Sequence, residues 1–117
     1  MAGYSTVMLN ASLAGAGAYA PWLSLHTGDP GTTGANELAA GVGGYTRVQT
    51  IWGTPAAASI SAQQVSINVP SGVTITYWGC WTTSGGTVWG TGGALAAPQT
   101  YSVAGTYLLV ATMSATG

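Results

Sequence analysis

Ser24, His26 and Asp29 are the residues of this chain whose types and spacing come nearest to a catalytic set. Nucleophilic catalysis needs a hydroxyl beside a base that a third group orients. Ser24 and His26 are two apart, so on a strand they share one face, and Asp29 lies in the turn that follows. Against this, neighbours on one face of a strand are expected to splay apart rather than hydrogen-bond, no G-x-S-x-G elbow is present, and nothing marks an oxyanion hole. The preferred reading is structural: His26 and Asp29 pin the loop behind them through side-chain to backbone hydrogen bonds. Asp29 and Glu37 are the only carboxylates for acid–base or glycoside chemistry, and they lie across a loop with no partner cluster. A metal would have to be held by His26, Asp29 and Glu37 alone, a thin set for zinc or a transition metal. The glycine-rich pieces GVGG (41–44) and GTGG (90–93) match neither a P-loop nor a dinucleotide fingerprint. The reading is therefore not an enzyme, with no catalytic, metal or cofactor-binding residue assigned and no cofactor expected.

Arg47 is the one cation of the chain, and alone in an uncharged setting it would be costly to bury. Glu37 or Asp29 is its available partner, either as an intrachain latch tying a loop to the strand from Tyr45 or as a registry contact with another subunit. The loop itself, GDPGTTGANELAAGVGG (28–44), holds seven Gly or Pro residues. Ordering it costs chain entropy. Asp29 or Asn36 is expected to offset this by accepting backbone N–H bonds within it, as is contact with a neighbouring chain. The structural set is thus His26, Asp29, Asn36, Glu37 and Arg47.

These residues sit in a narrow window. Residues 1–25 and 48–117 contain no Lys, Arg, Asp, Glu or His, and only 3% of the chain is charged, where roughly 25% is usual. A free monomer normally relies on charge to stay apart from its copies. A chain without it is expected to be packed against neighbours. One Arg and a net charge of −1 exclude nucleic-acid binding and a basic membrane-surface patch. Disorder is not expected, because 47% of residues are hydrophobic, with six Tyr and five Trp. The tryptophans read as core and interface filler ahead of a sugar-stacking platform. Cys80, the only cysteine, can form no intrachain disulfide and reads as a small buried hydrophobe. The apolar run 13–23 is too short to span a bilayer and is broken by Pro21, and the N-terminus lacks the positive charge of a secretory signal.

Residues 5–19 predict a short helix, capped by Ser5 and ended by Pro21, with Val7, Met8, Ala11 and Ala14 or Ala18 on its docking face. Residues 22–27 alternate and predict a half-buried strand. From Tyr45 the pattern is β: Tyr45–Trp52, then Val65, Ile67 and Val69 facing inwards. In the next strand Val73, Ile75 and Tyr77 oppose Thr74, Thr76 and Trp78. Short strands follow at Trp81, at 88–89 and at 101–103, with a last one at 107–112. Turn signals at Pro55, 70–72, 84–86, 92–93 and 104–105 space them as in an antiparallel β-sandwich or Greek-key barrel. The expected organisation is mainly β, with residues 1–21 an N-terminal helix or arm and residues 22–117 one β-sandwich domain.

LSLHTGDPGTTGANE (23–37) resembles the opening motif of a family of small virion proteins of tailed bacteriophages, in which Leu-His-Thr, Asp-Pro-Gly and Gly-Ala-Asn-Glu recur in this order. GGYTRV (43–48) and YWGCWTTSGGTVWGTGGAL (77–95) are similar to later segments of that family, with Cys80 and Val88-Trp89 as variations. The resemblance implies an all-β structural component of the particle, described as a minor tail, tail-fibre-like or head-decoration protein, without catalytic residues. It would be made in the host cytoplasm and reside in the virion. Its partners would be major capsid or tail proteins and copies of itself in a symmetric homo-oligomer. The alternative is a receptor- or glycan-binding tail-tip module that takes a bacterial surface glycan.

Overall fold

A computed structural model describes residues 5–114, so residues 1–4 of the expected N-terminal arm and 115–117 of the expected β domain lie outside it. One helix, α1 (Thr6–Tyr19), precedes eight strands. These are β1 (Trp22–His26), β2 (Val48–Gln49), β3 (Ser59–Ser61), β4 (Val65–Val69), β5 (Val73–Trp81), β6 (Trp89–Tyr101), β7 (Gly105–Leu109) and β8 (Thr112–Ser114). All pairings are antiparallel. β2-β1-β5-β6 form one sheet, while β3-β8 and β4-β7 form two short ladders. A bond from Ala62 N to Ala111 O joins those ladders, so residues 59–69 and 105–114 run as one two-stranded ribbon. The core includes Leu23, Leu25, Tyr45, Ile67, Val69 and Ile75, none with any exposed surface, and Leu13 from the middle of the helix and Ala20 at its C-cap join it. The molecule is mainly β with one short helix, and no sheet closes into a barrel.

α1 starts where Ser5 accepts the Met8 N–H at 3.2 Å and ends at Ala20, just before Pro21. Its docked side is not the expected one. Leu13 and Gly17 are buried, whereas Val7 and Met8 are exposed. Gly17 decides this, because its missing side chain lets the helix lie against Trp52.

The expected strand Tyr45–Trp52 is cut short. Only Val48 and Gln49 pair with β1; Thr50 N still bonds Pro21 O, but Gly53 N bonds Ser61 O and Gln63 N bonds Ile51 O. The chain crosses from sheet to ribbon at this corner. Three expected short strands are also different: Trp81 ends β5, and residues 89–101 are one strand that runs through Gly92-Gly93 without turning. In β5, Tyr77 pairs with Ala94 but Ile75 with Gln99, so Thr76 alone faces Leu95 to Pro98. The extra residues are in β6, and beside them β5 itself changes face parity: Ile75 lies in the core before the irregularity and Trp78 after it, with Tyr77 half-buried.

Candidate functional site

β1 is buried on both faces, which its alternation alone did not predict. Leu23 and Leu25 face the core between the layers. Ser24 and His26, also with no exposed surface, face the other way and are covered by the loop after β1 and by Trp81 and Trp89. The loop doubles back onto the strand: Thr27 N bonds Asn36 O at 2.9 Å and Leu38 N bonds Leu25 O at 3.1 Å. Gly34 is the close approach. Its φ is +78°, and any Cβ there would collide with the Trp81 and Trp89 rings.

Contrary to the expectation that they splay apart, Ser24 Oγ and His26 Nε2 are 2.8 Å apart. The strand permits this because both side chains lean together under a lid. His26 Nδ1 is 2.7 Å from Ala35 O. A carbonyl only accepts, so Nδ1 carries the proton, and Nε2 accepts from the Ser24 hydroxyl. Ser24 Oγ in turn accepts Trp81 Nε1–H at 2.8 Å. Burial pushes the imidazole below its usual pKa of 6.5, against the opposing pull of the Ala35 carbonyl and Glu37. His26 is therefore neutral at pH 7. The group orienting it is a backbone carbonyl, not Asp29, and the Ser24 hydroxyl has no exposed surface. The pair is a structural hydrogen-bond relay.

Asp29 and Asn36 stand at the outer turn of the loop. Asp29 Oδ1 accepts Gly31 N–H at 2.8 Å, and Asn36 Nδ2 donates to Asp29 O at 3.0 Å. Asn36 is thus a donor through its side chain, and it takes a φ of 64° that Asn tolerates better than most residues.

Glu37 and Arg47 meet in a fork: Arg47 Nε donates to Glu37 Oε2 and Nη2 to Oε1, both at 2.9 Å. Nη1 donates to Thr83 O at 3.1 Å and to Gly86 O at 2.8 Å, which ties in the turn between β5 and β6. The guanidinium carbon lies 3.7 Å from the centroid of a Trp81 ring, a cation–π stack. Tyr45 Oη donates to Glu37 Oε2 at 2.7 Å and accepts Leu25 N–H at 3.2 Å. Burial, and then the nearby carboxylate, push the Tyr45 phenol far above its usual range. Sequence reasoning missed Tyr45 and Trp81. The available signal was that Tyr45 and Arg47, two apart, share a face.

A shallow cleft of about 180 Å³ opens beside this node, with Glu37, Tyr45, Arg47 and Ser84 in its wall. The charged and phenolic groups in that wall, Glu37, Arg47 and Tyr45, are bonded to one another. Among the described residues no group of His, Cys, Asp and Glu side chains could hold a metal ion, and no helix is long and apolar enough to cross a membrane. Cys80 is buried, accepts Thr91 N–H through Sγ at 3.4 Å, and has its thiol pKa pushed up by burial. Trp78 and Trp81 are buried and the other three tryptophans half-buried.

This is an internally satisfied polar node in an otherwise neutral β protein, an arrangement that holds shape. Comparison with curated proteins returns no match. The family described as Podophage GP4 fiber I protein gp80 matches residues 4–116. The chain belongs to this podophage fibre family and is a structural protein of the phage virion.

Proposed function

We propose that the protein is a non-enzymatic fibre subunit of the phage tail, working by packing against other virion proteins and copies of itself. The observation that carries this reading is the outer face of the ribbon. Leu108 and Val110 are 59% and 53% exposed. They alternate outward with Thr106 and Thr112, and Ser66 and Asn68 stand opposite Leu108 and Thr106. No side chain of this face is charged. Water-facing sheets normally carry charge, whereas the centres of lasting interfaces are depleted of it. The word fibre in the family description supports the tail over head decoration.

In this reading His26, Asp29, Asn36, Glu37 and Arg47 form an intrachain latch, since the bonds described above stay within one chain. Residues 1–21 serve as an arm and residues 22–117 as the body of the subunit. The test is to count copies per purified particle and locate them with a labelled antibody. A small, fixed copy number at the tail supports the reading. Hundreds of copies spread over the head overturn it in favour of decoration.

A further inference from the structure

We propose that His26 is an acid-sensitive release for the loop from Thr27 to Gly44: uptake of a proton at Nε2 places a charge under the loop that only lifting the loop brings to water. The relay shows what this proton disturbs around the fully covered ring. Nε2 now accepts from Ser24 Oγ at 2.8 Å. Once protonated it must donate, and Ser24 Oγ would then receive two donors, His26 Nε2–H and Trp81 Nε1–H, with its own proton displaced from its acceptor. The bond from Nδ1 to Ala35 O opposes release, because a charged ring donates more strongly. Burial outweighs it, as the net direction of the His26 shift shows.

The groups around the ring offer no free counter-charge. On the loop, Glu37 is occupied by Arg47 and Tyr45, and Asp29 is exposed at the far turn, engaged with Gly31. Before β2, Arg47 repels a second cation, by less than Glu37 attracts it, and burial opposes both Glu37 and the Ala35 carbonyl. On β5, Tyr77 is the cross-strand partner of His26 and Gly79 lies against its Nε2. On β6, Trp89 meets the ring edge-on at 5.5 Å.

The loop is the part that yields. β1 is held by ladders on both sides and by the leucine core. The loop rests on the Thr27–Asn36 and Leu38–Leu25 backbone bonds, the His26–Ala35 bond, the Glu37–Arg47 fork with Tyr45, the Asn68–Gly44 bond and the buried Leu38 side chain, so release starts at the turn from Thr27 to Asn36, which covers the ring.

Amide exchange of Thr27 and Leu38, corrected for intrinsic rates, tests this between about pH 7 and about pH 5. Open and closed forms differ by one proton. The opening equilibrium should therefore rise by nearly tenfold per pH unit below the ordinary histidine value of 6.5, until the buried ring itself titrates. Amides of β4 should not change. His26→Gln should remove the slope and Asp29→Asn should keep it. Loop protection that is independent of pH, or an equal slope in His26→Gln, overturns the proposal. If that variant does not fold, nitrogen NMR of His26 in the unaltered protein decides. Protonation together with loss of loop protection supports release; protonation under a loop that stays protected, or none before global unfolding, overturns it.

Discussion

Arg47 commits four of its five N–H donors to acceptors, two on Glu37 and one each on Thr83 and Gly86. Its side chain and that of Glu37 are only 11% and 17% exposed, so this is not a surface pair of the kind worth about 0–1 kcal/mol. Removing one partner strands the other in a nearly dry site. Arg47→Ala should cost about 3–5 kcal/mol, read as the shift of the urea midpoint. Arg47→Lys should recover little, because an ammonium cannot reproduce the planar fork or the stack on Trp81. Tyr45→Phe tests the same node from the side. It leaves Leu25 N–H without its partner and Glu37 with one donor fewer, at about 1–3 kcal/mol. In the native protein the Tyr45 phenol should remain un-ionised where ordinary tyrosines titrate near pH 10, since burial and then Glu37 both hold its proton on. Absorbance titration of the unaltered protein against Tyr45→Phe checks this: the two should show the same number of ionising tyrosines until unfolding.

At the scale of elements, what was legible followed from local signals. Ser5 and Pro21 bounded the helix, and the alternation of Val65, Ile67 and Val69 marked an inward-facing strand. What was not legible came from contacts distant in sequence. The docking face of α1 was set by Trp52, which no helical periodicity can reveal. Gly92-Gly93 reads as a turn, yet in β6 a Cβ on Gly93 would stand 3.0 Å from Trp78 Nε1; these glycines make room for rings. The irregularity where Thr76 faces the extra residues of β6 reversed a face assignment that was sound up to Ile75. The loop set was nameable from residue types alone, since a chain with so few charged side chains leaves few choices, but not its geometry. The Ser24–His26 bond depends on a lid that folds back from residues 34–38. The two helix glycines separate propensity from packing. Gly15 has nothing within 4 Å of a built Cβ, so Gly15→Ala should stabilise by about 0.5–1 kcal/mol. At Gly17 a Cβ would lie 2.7 Å from Trp52 Cβ, so Gly17→Ala should lower the melting temperature despite the same gain in propensity. Equal effects at both sites would mean that α1 is not docked on Trp52.

At the scale of the whole molecule, charge lies on one side of the argument and apolar exposure on the other. The chain has a net charge of −1, and its charged side chains lie between Asp29 and Arg47, so residues 48–114 offer no electrostatic barrier to their own copies. The same span exposes Ile51, Val88, Val103, Leu108 and Val110. A partner with a charged face would lose hydration there and find nothing to pair with. Another neutral face, such as that of a second copy, loses nothing of the kind. Self-association should therefore be driven by apolar burial, which sets its dependence on conditions. Screening has no ion pairs to weaken, so the dissociation constant should change by less than about threefold between low salt and the ionic strength where the Debye length falls to about 3 Å. Cooling should weaken it, as hydrophobic association weakens in the cold. Leu108→Lys should leave subunit stability nearly unchanged, because Leu108 is already 59% exposed. It should loosen association by about tenfold or more, through lost burial of about 1.5–3 kcal/mol and the cost of covering a charge. Analytical ultracentrifugation of both proteins across salt and temperature reads all three effects. Dissociation by salt, or unchanged association in Leu108→Lys, would place the contact elsewhere than on the outer face of the ribbon.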